Sequence, residues 1–295
     1  MEPGGYALKK TTKIIQWAAA ALVLAAAVLA GIRFLQHEKD QNEAIRELKE
    51  QVITLQEEKQ ASDREGSGEK LSALEDRITR LEIRAETAAA DYTYFAIGNS
   101  ITVHAPNEVW WNETGMAASE TDRDFVHLVA ASCGGTQGKT AVFPLYFYAW
   151  ETEAENRSSC LAMLDPYLEA NPQLVTIQLG ENAEDLTSFE EDFEALIRYV
   201  QAGAPDARIL VIDDFWTNEE RGRMKREAAE KTGAEFIALD GIRDNPEYQA
   251  GTGAVVYDPE GNPHTVENPD VASHPGDKGM QAIADRIAEA LKQEP

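Results

Sequence analysis

Tyr94-Phe95-Ala96-Ile97-Gly98-Asn99-Ser100-Ile101-Thr102 passes from an aromatic and aliphatic run to a polar turn led by glycine. A short apolar run that ends in turn residues reads as a buried strand. Extended upstream, this strand covers Tyr92 to Ile97. Four further runs of the same kind follow, at Thr140 to Phe147, Leu174 to Leu179, Arg208 to Ile212 and Glu235 to Leu239. Between them lie amphipathic helical stretches. Two open with capping-box patterns, Ser188-Phe189-Glu190-Glu191 and Thr217-Asn218-Glu219-Glu220; Gly233 marks a stop, and Asp277 caps Lys278 to Leu291. Strands alternating with helices indicate an α/β fold, here a flavodoxin-like three-layer sandwich with a five-stranded parallel sheet. Pro144 lacks a donor for a ladder, so the second strand belongs at an edge.

The reactive residue types fall at the carboxyl ends of these strands. Gly98-Asn99-Ser100 follows the first strand, Gly180-Glu181-Asn182 follows the third, and His274 precedes the last helix. In an open parallel sheet, ligands bind at that edge where the strand order reverses, which for the order 2-1-3-4-5 lies between strands one and three. A serine hydroxyl becomes a useful nucleophile when an imidazole takes its proton, and the resulting oxyanion needs donors already in place. Ser100 and His274 suit the first requirement. The Ser100 backbone N–H and the Asn182 amide suit the second. Asp270 is the nearest upstream acid that could orient the imidazole, and a backbone carbonyl is the alternative.

At these residues the sequence resembles the SGNH (GDSL-like) hydrolase family. YFAIGNSIT, Tyr94 to Thr102, is similar to its first block, Ile177-Gln178-Leu179-Gly180-Glu181-Asn182 to its third, and Ser273-His274-Pro275 to its last. The match covers nearly all of residues 91–295, in the family's order, with 82 and 92 residues between Ser100, Asn182 and His274. The resemblance implies a cofactor-free, metal-free serine esterase with Ser100 as nucleophile, His274 as base and Asp270 as the orienting acid. The departures are specific. Asn99 stands where the family usually has Asp, and Ala183 follows Asn182 where Asp is common. Val271 occupies the usual place of the acid, one residue after Asp270. The family's second-block glycine has no counterpart in Tyr148-Ala149-Trp150-Glu151, which leaves Gly115 as the candidate third oxyanion donor.

The first ninety residues differ in character. Residues 1–13 carry Lys9, Lys10 and Lys13, and Ile14 to Ile32 contains no charge over nineteen residues, about 28 Å as a helix. A transmembrane anchor over 14–35 is expected, with the N-terminus cytoplasmic by the positive-inside rule and the hydrolase domain outside the cell membrane. A cleaved signal peptide ending near Ala30 is the competing reading. Over 36–90, Ile45, Leu48, Val52, Leu55 and then Leu71, Leu74, Ile78, Leu81 form a heptad seam broken near 63–68. This predicts a coiled-coil stalk. A homo-oligomer, an antiparallel pair within one chain and a solvated linker all remain open.

A formal charge of −25, from 52 acidic and 27 basic residues, argues against nucleic acid as a partner. Trp110, Trp111, Trp150 and Trp216 follow strands and are candidates to line a carbohydrate site, with core packing as the competing reading. The expected substrate is an O-acyl, most simply O-acetyl, carbohydrate; a lipid ester comes next. A non-catalytic glycan-binding or scaffold module and an O-acyltransferase are the alternative functions. Cys133 and Cys160 either form one disulfide or stay free. Asp258-Pro259-Glu260-Gly261-Asn262 reads as a hairpin turn.

Overall fold

The computed structural model describes Lys39, Arg46 and residues 67–133 and 138–293. The expected anchor over 14–35 and most of the expected stalk lie outside these residues. Among the described residues, no helix is long and apolar enough to cross a membrane. Helix α1, Ser67–Ala88, contains the second heptad run without interruption and starts inside the expected break. From Glu86 onward the chain forms one compact unit.

That unit is built on five strands: β1 Tyr92–Gly98, β2 Thr140–Tyr146, β3 Leu174–Gln178, β4 Arg208–Ile212 and β5 Glu235–Ile237. All pair in parallel, in the order β2-β1-β3-β4-β5. The α/β expectation therefore holds for this domain. β2 is an edge, with Pro144 opposite Ala96 of β1. β5 is two residues shorter than its apolar run suggests, because Ala238 and Leu239 leave the ladder for a turn.

Alternation along β1 sorts its side chains between two layers. Tyr94 and Ala96 join Leu210 and Ile212 under helices α2, Phe125–Cys133, and α7, Asp277–Leu291, which contribute Val126, Val129, Ile283 and Ile287. Phe95 points to the other face and stacks on Tyr167 with centroids 4.7 Å apart. Helices α4, Phe189–Gly203, and α5, Glu219–Thr232, pack against each other. A five-residue helix, α3, Tyr148–Thr152, leaves the end of β2 directly. Val255–Tyr257 and Pro263–Thr265 form an antiparallel hairpin, β6 and β7, around the turn expected at Asp258 to Asn262.

Three local expectations are corrected. The Ser188 hydroxyl donates to the Asp192 carboxylate instead of capping α4 through a backbone N–H. α5 is capped by Asn218, whose side-chain oxygen accepts from Arg221 N, and not by Thr217. Asp277 is the first residue of α7, and its carboxylate accepts from the backbone N–H and hydroxyl of Ser119. Gly233 ends α5 as expected, in the left-handed region at φ 76°. Cys133 and Cys160 are both free thiols.

Candidate active site

The turn after β1 requires its glycine. A Cβ on Gly98 would fall 1.8 Å from the Thr102 hydroxyl and 2.9 Å from the Gln178 carbonyl. With that space kept empty the chain reverses sharply, and the carbonyl of Asn99 accepts from the N–H groups of Thr102 and Val103. Ser100 is raised at the carboxyl end of the sheet. Its N–H donates to no acceptor among the described residues, so it remains available to an incoming oxyanion.

His274 reaches Ser100 from 174 residues away, with Nε2 2.8 Å from the Ser100 hydroxyl. It follows the short helix α6, Pro269–Ala272, which Asn268 caps by accepting from the N–H groups of Asp270 and Val271. The imidazole Nδ1 lies 2.7 Å from the main-chain carbonyl of Asp270. A carbonyl can only accept, so Nδ1 carries the proton and Nε2 presents its lone pair to Ser100. Trp216 packs edge-on against the ring, with centroids 4.8 Å apart. His274 is buried, and that burial pulls its pKa down to about 4; the hydrogen bond to the Asp270 carbonyl works in the opposite direction. At neutral pH the imidazole is an uncharged base.

The expected carboxylate contact from Asp270 is corrected: its side chain is exposed and its carbonyl holds the imidazole. Gly115 is also corrected as an oxyanion donor, because its N–H is committed to the buried Asp124 carboxylate at 3.1 Å. Asn182 lies at the expected end of β3, with one amide hydrogen on Glu151 at 2.6 Å.

The tryptophans divide into two groups. Trp110 is buried with Met116, Val256, Val266 and Val271, and its indole N–H donates to the His104 carbonyl. Trp150 is buried against Phe189 and Phe193 with Arg157 over its face. Neither can rim a cleft, which corrects two of the four candidates. Trp111 is half-buried and stacks on His264, and Trp216 covers His274. The exposed aromatic pair near the carboxyl edge is instead Tyr146 and Tyr148, stacked at 5.6 Å, with His104 edge-on to Tyr146.

Sequence reasoning also missed a group of carboxylates around Asn99, of which Glu151 and Asp214 are buried and Glu181 is half-buried. Glu151 accepts from Asn99, Gly180 and Asn182. Glu181 accepts from Asn99, Gln178 and the N–H of Phe215. Asp214 is paired with Arg221 and with the fully buried Lys225. Burial, and then the charge of Asp214, push the Glu181 carboxyl up to about 7. Burial likewise raises the pKa of Glu151, against the opposing effect of its hydrogen bonds. An open cleft of about 580 Å³ adjoins this group, lined by Tyr148, Asn182 and the acids Glu151, Glu155, Glu181, Glu184 and Asp185. Among the described residues, no group of three or more His, Cys, Asp or Glu is placed to hold a metal ion.

No protein-family model matches the sequence. No curated protein matches it either. Among solved structures, the chain is similar to a two-domain esterase active on acetylated mannans, with 18% identity, 73% of this chain and 55% of that chain covered, and a TM-score of 0.47. It is also similar to a carbohydrate esterase family 2 enzyme with a carbohydrate-binding domain from Corynascus thermopiles (Myceliophthora fergusii), with 14% identity, 69% and 66% covered, and a TM-score of 0.42. A third is a protein described as a GDSL-like lipase from Bacteroides ovatus, with 13% identity, 69% and 100% covered, and a TM-score of 0.44. The matched region spans less than two thirds of the length of the first two.

Proposed function

We propose that residues 91–295 are a serine ester hydrolase of the SGNH type. The observation that carries this reading is the 2.8 Å contact between the Ser100 hydroxyl and Nε2 of His274, with Nδ1 held in the donor tautomer. As the Ser100 oxygen bonds to the ester carbon, its proton passes to Nε2. The oxyanion forms beside the free N–H of Ser100 and the second hydrogen of the Asn182 amide. His274 returns the proton to the leaving alcohol as the ester C–O bond breaks. Water then gives a proton to the same nitrogen as its oxygen bonds to the acyl carbon; the bond from that carbon to the Ser100 oxygen breaks, and His274 returns the proton to Ser100 as the acid leaves. Each step is complete in protons and bonds without a cofactor.

Asn182 also lines the open cleft, whose wall includes neither Ser100 nor His274, and a sugar resting in that cleft beside the ester would narrow the substrate class. Carboxylates and a tyrosine face are compatible with sugar hydroxyls and disfavour both an acyl chain and an anionic polymer. An O-acetylated neutral or amino sugar fits this lining. A fluorophosphonate should label the wild type and leave Ser100→Ala and His274→Ala unlabelled, and acetylated glycan should release acetate. A folded wild type that is neither labelled nor active on an aryl acetate would end the hydrolase reading in favour of a binding module. Product analysis with a sugar acceptor present separates hydrolysis from acyl transfer.

The uncharged segment in 14–35 supports a further reading, in which the domain is held outside the membrane by that anchor and carried on residues 36–90. Retention in the membrane fraction after carbonate extraction is the expected result. Release into the soluble fraction would refute it.

A further inference from the structure

Glu151 is 1% exposed and sits on α3, directly after β2. Its two oxygens reach two other segments. Oε1 accepts from Asn99 Nδ2 at 3.2 Å and from Gly180 N, and Oε2 accepts from Asn182 Nδ2 at 2.6 Å. Asn99 belongs to the turn that presents Ser100, and Gly180 and Asn182 to the loop after β3. Because the sheet order is β2-β1-β3, one carboxylate from the edge ties the two neighbouring strand ends together. A buried carboxylate costs several kcal/mol unless donors satisfy it, and here three donors do so.

We propose that Glu151 is a positioning residue of this site, holding the Asn182 amide and the Ser100 turn in the one relative geometry that can receive an oxyanion. The inference rests on the hydrolase reading. A carboxylate only accepts, so the Glu151 contact fixes which end of the Asn182 amide faces it, and it leaves one N–H of that amide for the substrate oxygen. The same geometry accounts for the amide at position 99. Asn99 Nδ2 has two hydrogens and two acceptors, Glu151 at 3.2 Å and Glu181 at 2.8 Å, while its oxygen accepts from the Ile101 N–H at 3.0 Å. Aspartate there would set a third carboxylate against two others and offer neither of them a donor.

The test is a double-mutant cycle on the full chain, read as kcat and KM for an aryl acetate. Glu151→Gln should lower kcat by about 10- to 100-fold, less than the roughly 10²- to 10³-fold cost of removing an oxyanion donor outright, with KM within about twofold. In an Asn182→Ala background the same substitution should cost at least about threefold less, because one of the two groups through which it acts is already gone and only the Ser100 turn remains. An equal cost in both backgrounds would show that Glu151 does not act through the Asn182 amide and would overturn the proposal, as would full activity of Glu151→Gln. If Glu151→Gln does not fold by circular dichroism, Glu151→Asp, one methylene shorter, takes its place in the same cycle under the same criteria. An inert wild type marks the failure of the hydrolase reading and takes the positioning role down with it. An active wild type with an additive cycle overturns the positioning role alone.

Discussion

The carbonyl oxygen of Asp270 lies 2.7 Å from Nδ1 of His274, while the carboxylate of Asp270 is exposed. The residue that orients the base therefore does so through its main chain. Where a carboxylate fixes the tautomer, its loss costs about 10⁴-fold in kcat. Here Asp270→Asn should lower kcat by less than about tenfold, because the carbonyl survives the substitution. Loss of three or more orders of magnitude, measured on an aryl acetate, would show that the carboxylate swings in during turnover.

The carbonyl is only as fixed as the helix that carries it. Asn268 accepts from the N–H groups of Asp270 and Val271 and so holds the first turn of α6. Removing a cap of this kind costs about 1 kcal/mol. Asn268→Ala should therefore lower thermal stability modestly and reduce kcat more than Asp270→Asn does, an ordering opposite to that expected of a side-chain triad. Parallel melting curves and kinetics on the two variants check it.

His274 also sets a pH dependence. Its pKa falls from 6.5 to about 4, first because of burial, with the nearby His104 adding to the fall and Asp270 opposing it. Between those values the unfolded chain binds a proton that the native imidazole does not. The contribution of this group to stability is therefore complete above about pH 6.5 and is lost as the pH falls toward 4. The acid limb of kcat/KM on a neutral ester should have its half-value near pH 4. A half-value near 6.5 would mean that the ring is solvated in the working protein.

Most of the sheet is legible from local pattern, because buried parallel strands must be nearly continuous apolar runs. The start of each of the five strands can be read this way, as can the glycine turn at Gly98 and the edge position marked by Pro144. Ser100, Asn182 and His274 are legible because each follows or precedes an element with a recognisable end. Glu151 is not, since its importance comes from donors 29 to 52 residues away and nothing in Trp150-Glu151-Thr152 signals burial. The tryptophans fail for a related reason. An indole after a strand has the same local pattern whether it rims a cleft or closes the core, and Trp110 and Trp150 close the core.

The lining of the cleft leads to a prediction about substrate charge. Glu155, Glu184 and Asp185 are exposed in it, and hydrogen bonds from Thr187 hold the Asp185 carboxyl below its usual range. Like charges across an open cleft repel, and salt screens that repulsion over about 10 Å at 0.1 M. An acetyl ester of a uronic acid should therefore show a kcat/KM about tenfold or more below that of the matching neutral sugar at low ionic strength. The gap should close as salt is added. Charge reversal by Glu155→Lys together with Glu184→Lys should narrow it without added salt, mainly through KM. Equal turnover of the two esters at low salt, or a gap indifferent to both salt and charge reversal, would mean that the sugar does not occupy this cleft.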